Sequence, residues 1–431
     1  MIRTTVVVVM GMLTASASAG VGFVEHVIRT GYARPWCVFA VDMDRDNDKD
    51  ILSHAYGGRA ITWWENDGAE NFVEHTLATP TGPLDVLPTD LDRDGDMDVV
   101  AALDGEGRFV WYENDGTQEF TQHTIGAWYG AARVDVVDLD RDGDLDVLAS
   151  ACEAQPGRMG WFENCASLGW VEHIVKDPWP YANSVHGADV DRDGDIDIVA
   201  TASQALDLSW FENDGSEQFT ERPVVADTWG RPGSAWTVDL DRDSNIDLLA
   251  TSCVVGQVAW FRNDGAQAFE RRVVVAGFNR PHMVRPVDLD RDDDWDLVAT
   301  SNFANEVDWF ENVGADSFVR HRVTATLGGA CGICAADLDD DGDVDILAAG
   351  DGGNRIVWYE QVPAGVEETR TGQRPATAAT TILRAGSLGP VMCGRELRDV
   401  IGRRVDPDRA SKGVYFLSGP DGGTGRILVV P

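Results

Sequence analysis

Residues 133–175 hold four short apolar stretches set apart by polar turns. Residues 133–137 alternate apolar with charged positions, and 147–151 form a nearly continuous apolar run. Residues 159–164 contain Trp161-Phe162, and 170–175 alternate Trp, Val and Ile with Glu and His. Runs of this length, rich in Val and aromatics and bounded by turn residues, read as β-strands. No stretch keeps the 3.6-residue period of an amphipathic helix. The same four-part pattern returns along the chain, its third stretch marked by Trp63, Trp111, Trp161, Trp210, Trp260, Trp309 and Trp358.

A repeat of about fifty residues signals a solenoid, propeller or array. The ends of the chain choose among these. The stretch Phe72-Val73-Glu74-His75 also occurs seven times, but shifted: its first copy, Phe23-Val24-Glu25-His26, precedes the first unit, and none follows Trp358. Residues 23–28 are therefore expected to form the outer strand of the last unit, pairing with 356–362. Such a join removes an exposed edge and closes a ring. The pattern predicts an all-β fold, a seven-bladed β-propeller closed by an N-terminal outer strand. The recurring tryptophans are expected to pack between blades, and His26, His75, His123, His173 and His321 to serve structure. The recurrent Asn-Asp-Gly, as at Asn66-Asp67-Gly68, is expected to make a tight hairpin, because both central residues accept positive φ.

Between the first two strands of each unit lies an aspartate loop, in its regular form Asp138-Leu139-Asp140-Arg141-Asp142-Gly143-Asp144-Leu145-Asp146. The first aspartates are Asp42, Asp90, Asp138, Asp189, Asp239, Asp288 and Asp337, at intervals of 48, 48, 51, 50, 49 and 49 residues. Calcium takes six to eight oxygens at roughly 2.3–2.6 Å, and alternating carboxylates in a short loop can supply them. Asp138, Asp140, Asp142 and Asp146 read as side-chain ligands, and Asp144 as a backbone-carbonyl ligand, with Gly143 taking the turn. The corresponding residues are Asp42, Asp44, Asp46, Asp48 and Asp50; Asp90, Asp92, Asp94, Asp96 and Asp98; and Asp189, Asp191, Asp193, Asp195 and Asp197. They continue as Asp239, Asp241, Asp243 and Asp247; Asp288, Asp290, Asp292, Asp294 and Asp296; and Asp337, Asp339, Asp341, Asp343 and Asp345. Up to seven calcium ions are expected. The chain's net charge is -38, and 36 of its 73 acidic residues are aspartates of these loops, so cations are the natural neutralising partner. The same acidity argues against nucleic acid, which needs a basic face.

These repeats resemble the FG-GAP/VCBS family, whose loop reads Asp-x-Asp-x-Asp-Gly-x-x-Asp before an apolar strand. The resemblance covers residues 23–362. It implies a seven-bladed propeller like that of integrin head domains, with calcium held by the loop aspartates numbered above. Asn47 takes the glycine place in the first loop, Ser244 in the fifth and Asp293 in the sixth. The fifth site is expected to be the weakest.

Arg3, a mainly apolar run and Ala17-Ser18-Ala19 read as a signal peptide over 1–19, too short to span a membrane. No later stretch is a transmembrane segment, and the mature protein is expected to be secreted or held at the cell surface. The propeller is assigned to 20–362, a linker to 363–381 and a small β-sandwich-like domain to 382–431. Residues 397–405 and Lys412-Gly413-Val414-Tyr415-Phe416 resemble the C-terminal sorting domain of type IX secretion. That resemblance implies passage through the type IX machinery across an outer membrane. Cys152 and Cys165 flank one hairpin and could pair if their strands face each other. Cys331-Gly332-Ile333-Cys334 has the spacing of a zinc or redox pair.

Four carboxylates and a carbonyl leave little room for substrate, so the calcium is read as structural. The leading expectation is a non-catalytic binding or adhesion module for a glycan or an extracellular protein. Its candidate ligand residues lie on the rim opposite the loops: Arg34, Arg231 and Arg280, each followed by proline, with Trp36, Trp179 and Trp229. The bland alternative is that Arg-Pro stiffens a turn. The other function considered is a polysaccharide lyase or hydrolase, for which Asp85, Asp135 and His186 in the central mouth are the candidates.

Overall fold

The computed structural model describes residues 21–152, 157–165, 168–224 and 229–363, and four backbone strands between 381 and 430. The expected signal peptide and linker, and half of the residues behind the sorting-domain resemblance, lie outside the described residues. The chain divides into two units, Met1–Val366 and Glu367–Pro431.

The first unit consists of seven four-stranded antiparallel sheets. Strand β1 (Val21–Thr30) comes before the first blade, which is β2 (Pro35–Val41), β3 (Asp50–Ala55), β4 (Ala60–Asn66) and β5 (Phe72–Ala78). Five further blades follow: β6–β9 over 83–126, β10–β13 over 131–176, β14–β17 over 182–223, β18–β21 over 232–276 and β22–β25 over 281–324. The seventh is β26 (Ala330–Ala336), β27 (Asp345–Gly350) and β28 (Arg355–Pro363), completed by β1. The first strands of successive blades touch in a closed cycle, and β26 returns to β2, so they line the axis of a seven-bladed propeller. The closing strand has the expected register: β1 runs antiparallel to β28, with Phe23 opposite Gln361 and His26 opposite Trp358.

The core is divided into seven apolar clusters. Each lies between neighbouring blades: Leu52, Ile61 and Trp63 of the first blade, for example, meet Val86, Val99 and Val110 of the second. All six residues of each second strand are buried, as in Asp98–Leu103, because both faces meet a neighbouring blade. That explains why these strands read as continuous apolar runs rather than alternating ones. Six of the seven repeat tryptophans are buried and Trp111 is partly so. In five blades a histidine of the outer strand stacks on the repeat tryptophan at 4.3–4.8 Å. The same imidazole pairs through Nε2 with a glutamate at 2.6–2.8 Å, as in His173 with Glu163. In those blades the histidines are thus staples that cover the tryptophans.

Two local expectations are corrected. Asn-Asp-Gly does not form a two-residue hairpin: Asn66 pairs with Phe72, leaving a five-residue turn in which Asp67 Oδ1 accepts from the amides of Ala69 and Asn71. The six described cysteines form no disulfide. Cys152 and Cys165 sit at opposite ends of the hairpin they flank, since Ala151 pairs with Arg158 and Val147 with Phe162. At about 3.3 Å per residue they are too far apart to pair. Cys331 and Cys334 both face the first blade, because a β-bulge between Ala330 and Ile333 breaks the alternation of the strand, yet no disulfide joins them and the Cys331 thiol donates to the carbonyl of Pro35 at 3.1 Å.

In the C-terminal unit four strands form one sheet, Thr381–Arg384, Glu396–Asp399, Gly413–Ser418 and Thr424–Val430. The first runs parallel to the last, and the remaining pairs are antiparallel.

Candidate cation loops and the opposite rim

Because each blade is antiparallel, its first and third connections emerge on one face of the ring. The second connection and the passage to the next blade emerge on the other. The aspartate loops and the Asn-Asp-Gly turns therefore share a face. The turn presses on the loop: a Cβ on Gly68, Gly116 or Gly215 would lie 2.5–2.6 Å from Oδ2 of Asp48, Asp96 or Asp195. Glycine is needed there for space as well as for its positive φ.

Each loop is folded by its own carboxylates. The third aspartate accepts from the amide two residues on, at 3.0–3.3 Å. The fifth does the same at 2.7–2.9 Å. The ninth aspartate, buried at the start of the second strand, uses both oxygens. Oδ2 accepts from the amide of the second loop residue at 2.9–3.2 Å. Oδ1 accepts from the amide of Asn66, Asn114, Asn164, Asn213, Asn263, Asn312 or Gln361 at 2.7–2.9 Å. It thus ties the loop to the end of the third strand, a structural duty beyond the ligand role expected for it. Both oxygens keep lone pairs for a cation.

Two left-handed residues shape every loop. The sixth position was expected to carry one, and it does, including Asn47, Ser244 and Asp293. The fourth position also has positive φ, at Arg45, Arg93, Arg141, Arg192, Arg242, Arg291 and Asp340. An arginine gives no hint of this in sequence, although its recurrence at one place is visible. The side chain reaches the next blade's loop: Arg45 to Asp96 and Arg141 to Asp195 at 2.8 Å, and Arg291 to Asp343 at 3.1 Å. Such exposed pairs contribute at most about 1 kcal/mol each.

What points to a ligand is the first aspartate. Oδ1 of Asp42, Asp90, Asp189, Asp239, Asp288 and Asp337 is buried and has no hydrogen-bond partner. A buried carboxylate oxygen without a partner is costly unless a cation meets it. In the first, third and fourth loops, oxygens of the first, third and ninth aspartates lie within 4.8 Å of one another; in the second and fifth the group is the first, third and fifth. All the donors are oxygen, which suits hard cations of the calcium and magnesium class. Burial, ahead of the neighbouring acids, pushes the carboxyls of Asp50, Asp146, Asp197, Asp296 and Asp345 up to about 7 and those of Asp98 and Asp247 up to about 6. The residues present fit such an ion.

The opposite rim is a different case. Arg34, Arg231 and Arg280 are exposed there. Arg34 lies over Tyr56 at 5.0 Å and Trp36 at 5.9 Å, and Arg280 over the exposed Phe303 at 4.4 Å. Their carbonyls accept from the amides of Tyr56, Cys253 and Asn302, as those of Gly82, Gly130, Tyr181 and Gly329 do at the same place in the other blades. The turn is thus common to the ring, and the arginine is not required to build it.

Trp179 and Trp229 are corrected: they are buried plugs between blades, not part of a rim surface. Their indoles pack edge-on against Phe211 and Phe261, and their N–H groups donate to Asp207 and Gln257. Aromatic residues in this connection fill the wedge between diverging blades. Trp36 is partly buried nearer the axis, edge-on to His282 and within 6.0 Å of the Arg133 guanidinium.

Along the axis, Asp135 and His186 come together, with Nδ1 of the imidazole 2.8 Å from the carboxylate. His186 stacks on Trp236 at 4.3 Å, and Arg285 lies over that indole at 4.1 Å. Asp85 is separate. It accepts from the amide of Val134 and lies 4.0 Å from Arg133, while burial pushes its carboxyl up to about 6.

The chain belongs to the FG-GAP-like repeat family, whose model matches residues 42–101, 90–149, 189–250 and 239–299, a little over half of the chain together. No curated protein matches it by sequence. Among solved structures it is similar to a streptogramin B lyase (12% identity, TM-score 0.57, covering 80% of this chain and 100% of that one). It is also similar to a catalytically inactive virginiamycin B lyase from Staphylococcus aureus with quinupristin (14%, 0.56, 79% and 99%). A third likeness is to BBS1N in complex with ARL6DN (10%, 0.56, 81% and 98%). Likeness at these identities concerns the fold.

Proposed function

We propose that this chain is an exported, non-catalytic binding or adhesion module whose aspartate loops hold calcium as a structural cation. The observation that carries the metal reading is the buried, unpartnered Oδ1 of the first aspartate in six loops. Calcium suits the site better than magnesium, because the loop offers five or more oxygens and magnesium usually keeps several waters. Export is supported by the signal-like residues 1–19, and passage through type IX secretion by the resemblance of residues 397–416 to its sorting domain. The fold does not choose the function, since lyases and a protein-binding propeller share it.

The ligand surface is assigned to the rim around Arg34, Trp36, Arg231 and Arg280. Guanidinium groups beside flat aromatic faces suit a glycan or an extracellular protein. A glycan-array screen of the whole chain, with calcium and with chelator, tests this. The expected result is a calcium-dependent signal lost in the Arg34→Ala, Arg231→Ala, Arg280→Ala triple variant. A signal that the triple variant keeps would remove the rim from the binding site.

A second reading, an enzyme of the polysaccharide lyase or hydrolase class, is favoured by the Asp135–His186 pair on the axis. Turnover of an acidic polysaccharide that His186→Ala abolishes, with melting unchanged, would establish it in place of the module.

A further inference from the structure

The seven loops are not equivalent. Immediately before the Asn or Gln that meets the ninth aspartate, six blades carry glutamate: Glu65, Glu113, Glu163, Glu212, Glu311 and Glu360. The fifth carries Arg262. In five of the six, the glutamate is held by the stapling histidine, and Glu212 is held by Arg222. In the fifth blade the residue opposite the repeat tryptophan is Arg272 rather than histidine. Arg262 instead turns to its own blade's aspartate loop. Its Nε donates to Asp241 Oδ2, and its Nη2 donates to Asp243 Oδ2 at 3.0 Å. These are the third and fifth loop positions, two of the side chains that would ligate an ion.

The same loop departs twice more. Ser244 stands at the glycine place, and Asn245 replaces the seventh aspartate, so the loop holds four aspartates where the first four loops hold five. It has one carboxylate fewer and one guanidinium more. Asp239 keeps the same unpartnered inner oxygen as its sister residues, and Arg262 does not reach it, so the case for the fifth loop rests on the third and fifth positions, whose oxygens the guanidinium holds. Calcium needs its oxygens at about 2.3–2.6 Å. An arginine fork holding those oxygens would stand within a few ångströms of the ion, and like charges at that range repel strongly.

We infer that the fifth loop is a metal-free loop closed by Arg262, an internal cation in the place that calcium takes in the other six. This rests on the calcium reading of those loops. The ring would then carry six ions, with a chelator-resistant loop between the fourth and sixth blades.

Native mass spectrometry of the whole chain, titrated with calcium alone, tests the inference. Wild type is expected to saturate at six ions, and Arg262→Glu at seven. Arg262→Gln, which removes the charge without adding another, is expected to gain the same ion and covers the case where the glutamate variant does not fold. Seven ions on wild type, or a count unchanged in both variants, would overturn the assignment to Arg262 while leaving the calcium reading intact. No bound calcium in any form would overturn both.

Discussion

The two faces of the ring are built on the same seven-fold backbone and use it in opposite ways. On the loop face the side chains repeat with the backbone. The first aspartate keeps a buried, unpartnered oxygen in six of the seven loops, the ninth bridges the second residue and the strand end, and the fourth position is left-handed throughout. On the opposite face the hydrogen bond at the entry to each blade also repeats, yet the residue making it is Arg34, Gly82, Gly130, Tyr181, Arg231, Arg280 or Gly329. Where side chains do the folding they cannot vary. Where the backbone alone makes the turn, side chains are free to serve a ligand.

The largest expected effect concerns the ring that carries both faces. Deleting residues 21–30 would expose the edge of β28 and the face of Trp358 that His26 covers. Calorimetry should then show loss of the single cooperative transition, and a retained sharp transition would mean the ring closes without β1. Next, a loop-face change should far outweigh a rim-face one. Asp146→Ala strands the amides of Leu139 and Asn164, which costs about 3 kcal/mol or roughly 4 °C in Tm for a domain of this size. Arg231→Ala should stay within about 0.5 kcal/mol. Equal losses would erase the distinction between the faces.

Acidity sharpens it further. In chelator the ninth aspartates, raised to about 7 or about 6, hold protons that the unfolded chain, with carboxyls near 3.9, has released. The folded state binds more protons across that interval, so the metal-free protein should gain stability as pH falls from about 8 to about 5. In calcium the trend should reverse, because protons displace the ion. Parallel trends in the two conditions would contradict cation binding at these carboxylates.

Much of this molecule is legible in its amino-acid sequence. The period, the repeat tryptophans and the displaced first copy at Phe23 lead to the ring and its closure, because repetition makes each blade a control for the others. What stays hidden depends on geometry that residue type does not announce. Arg45 and its sister residues carry no mark of a left-handed conformation. Trp179 and Trp229 look like a platform beside an arginine, yet the widening gap between blades takes them inside. Asn-Asp-Gly reads as a tight hairpin, but the glycine is there because the loop lies against it. Arg262 is a visible departure from the repeat, and its meaning lies in where the guanidinium goes, onto Asp241 and Asp243.

Differential scanning calorimetry of the whole chain, in millimolar calcium and then in excess EGTA, tests most directly whether cations hold the loops. Each ion at a hundred times its Kd stabilises the native state by about 2.7 kcal/mol, so several sites together should lower Tm by roughly 20 °C or more on chelation. Calcium should restore it. A Tm that does not move between calcium and EGTA would contradict a structural role for calcium in these loops.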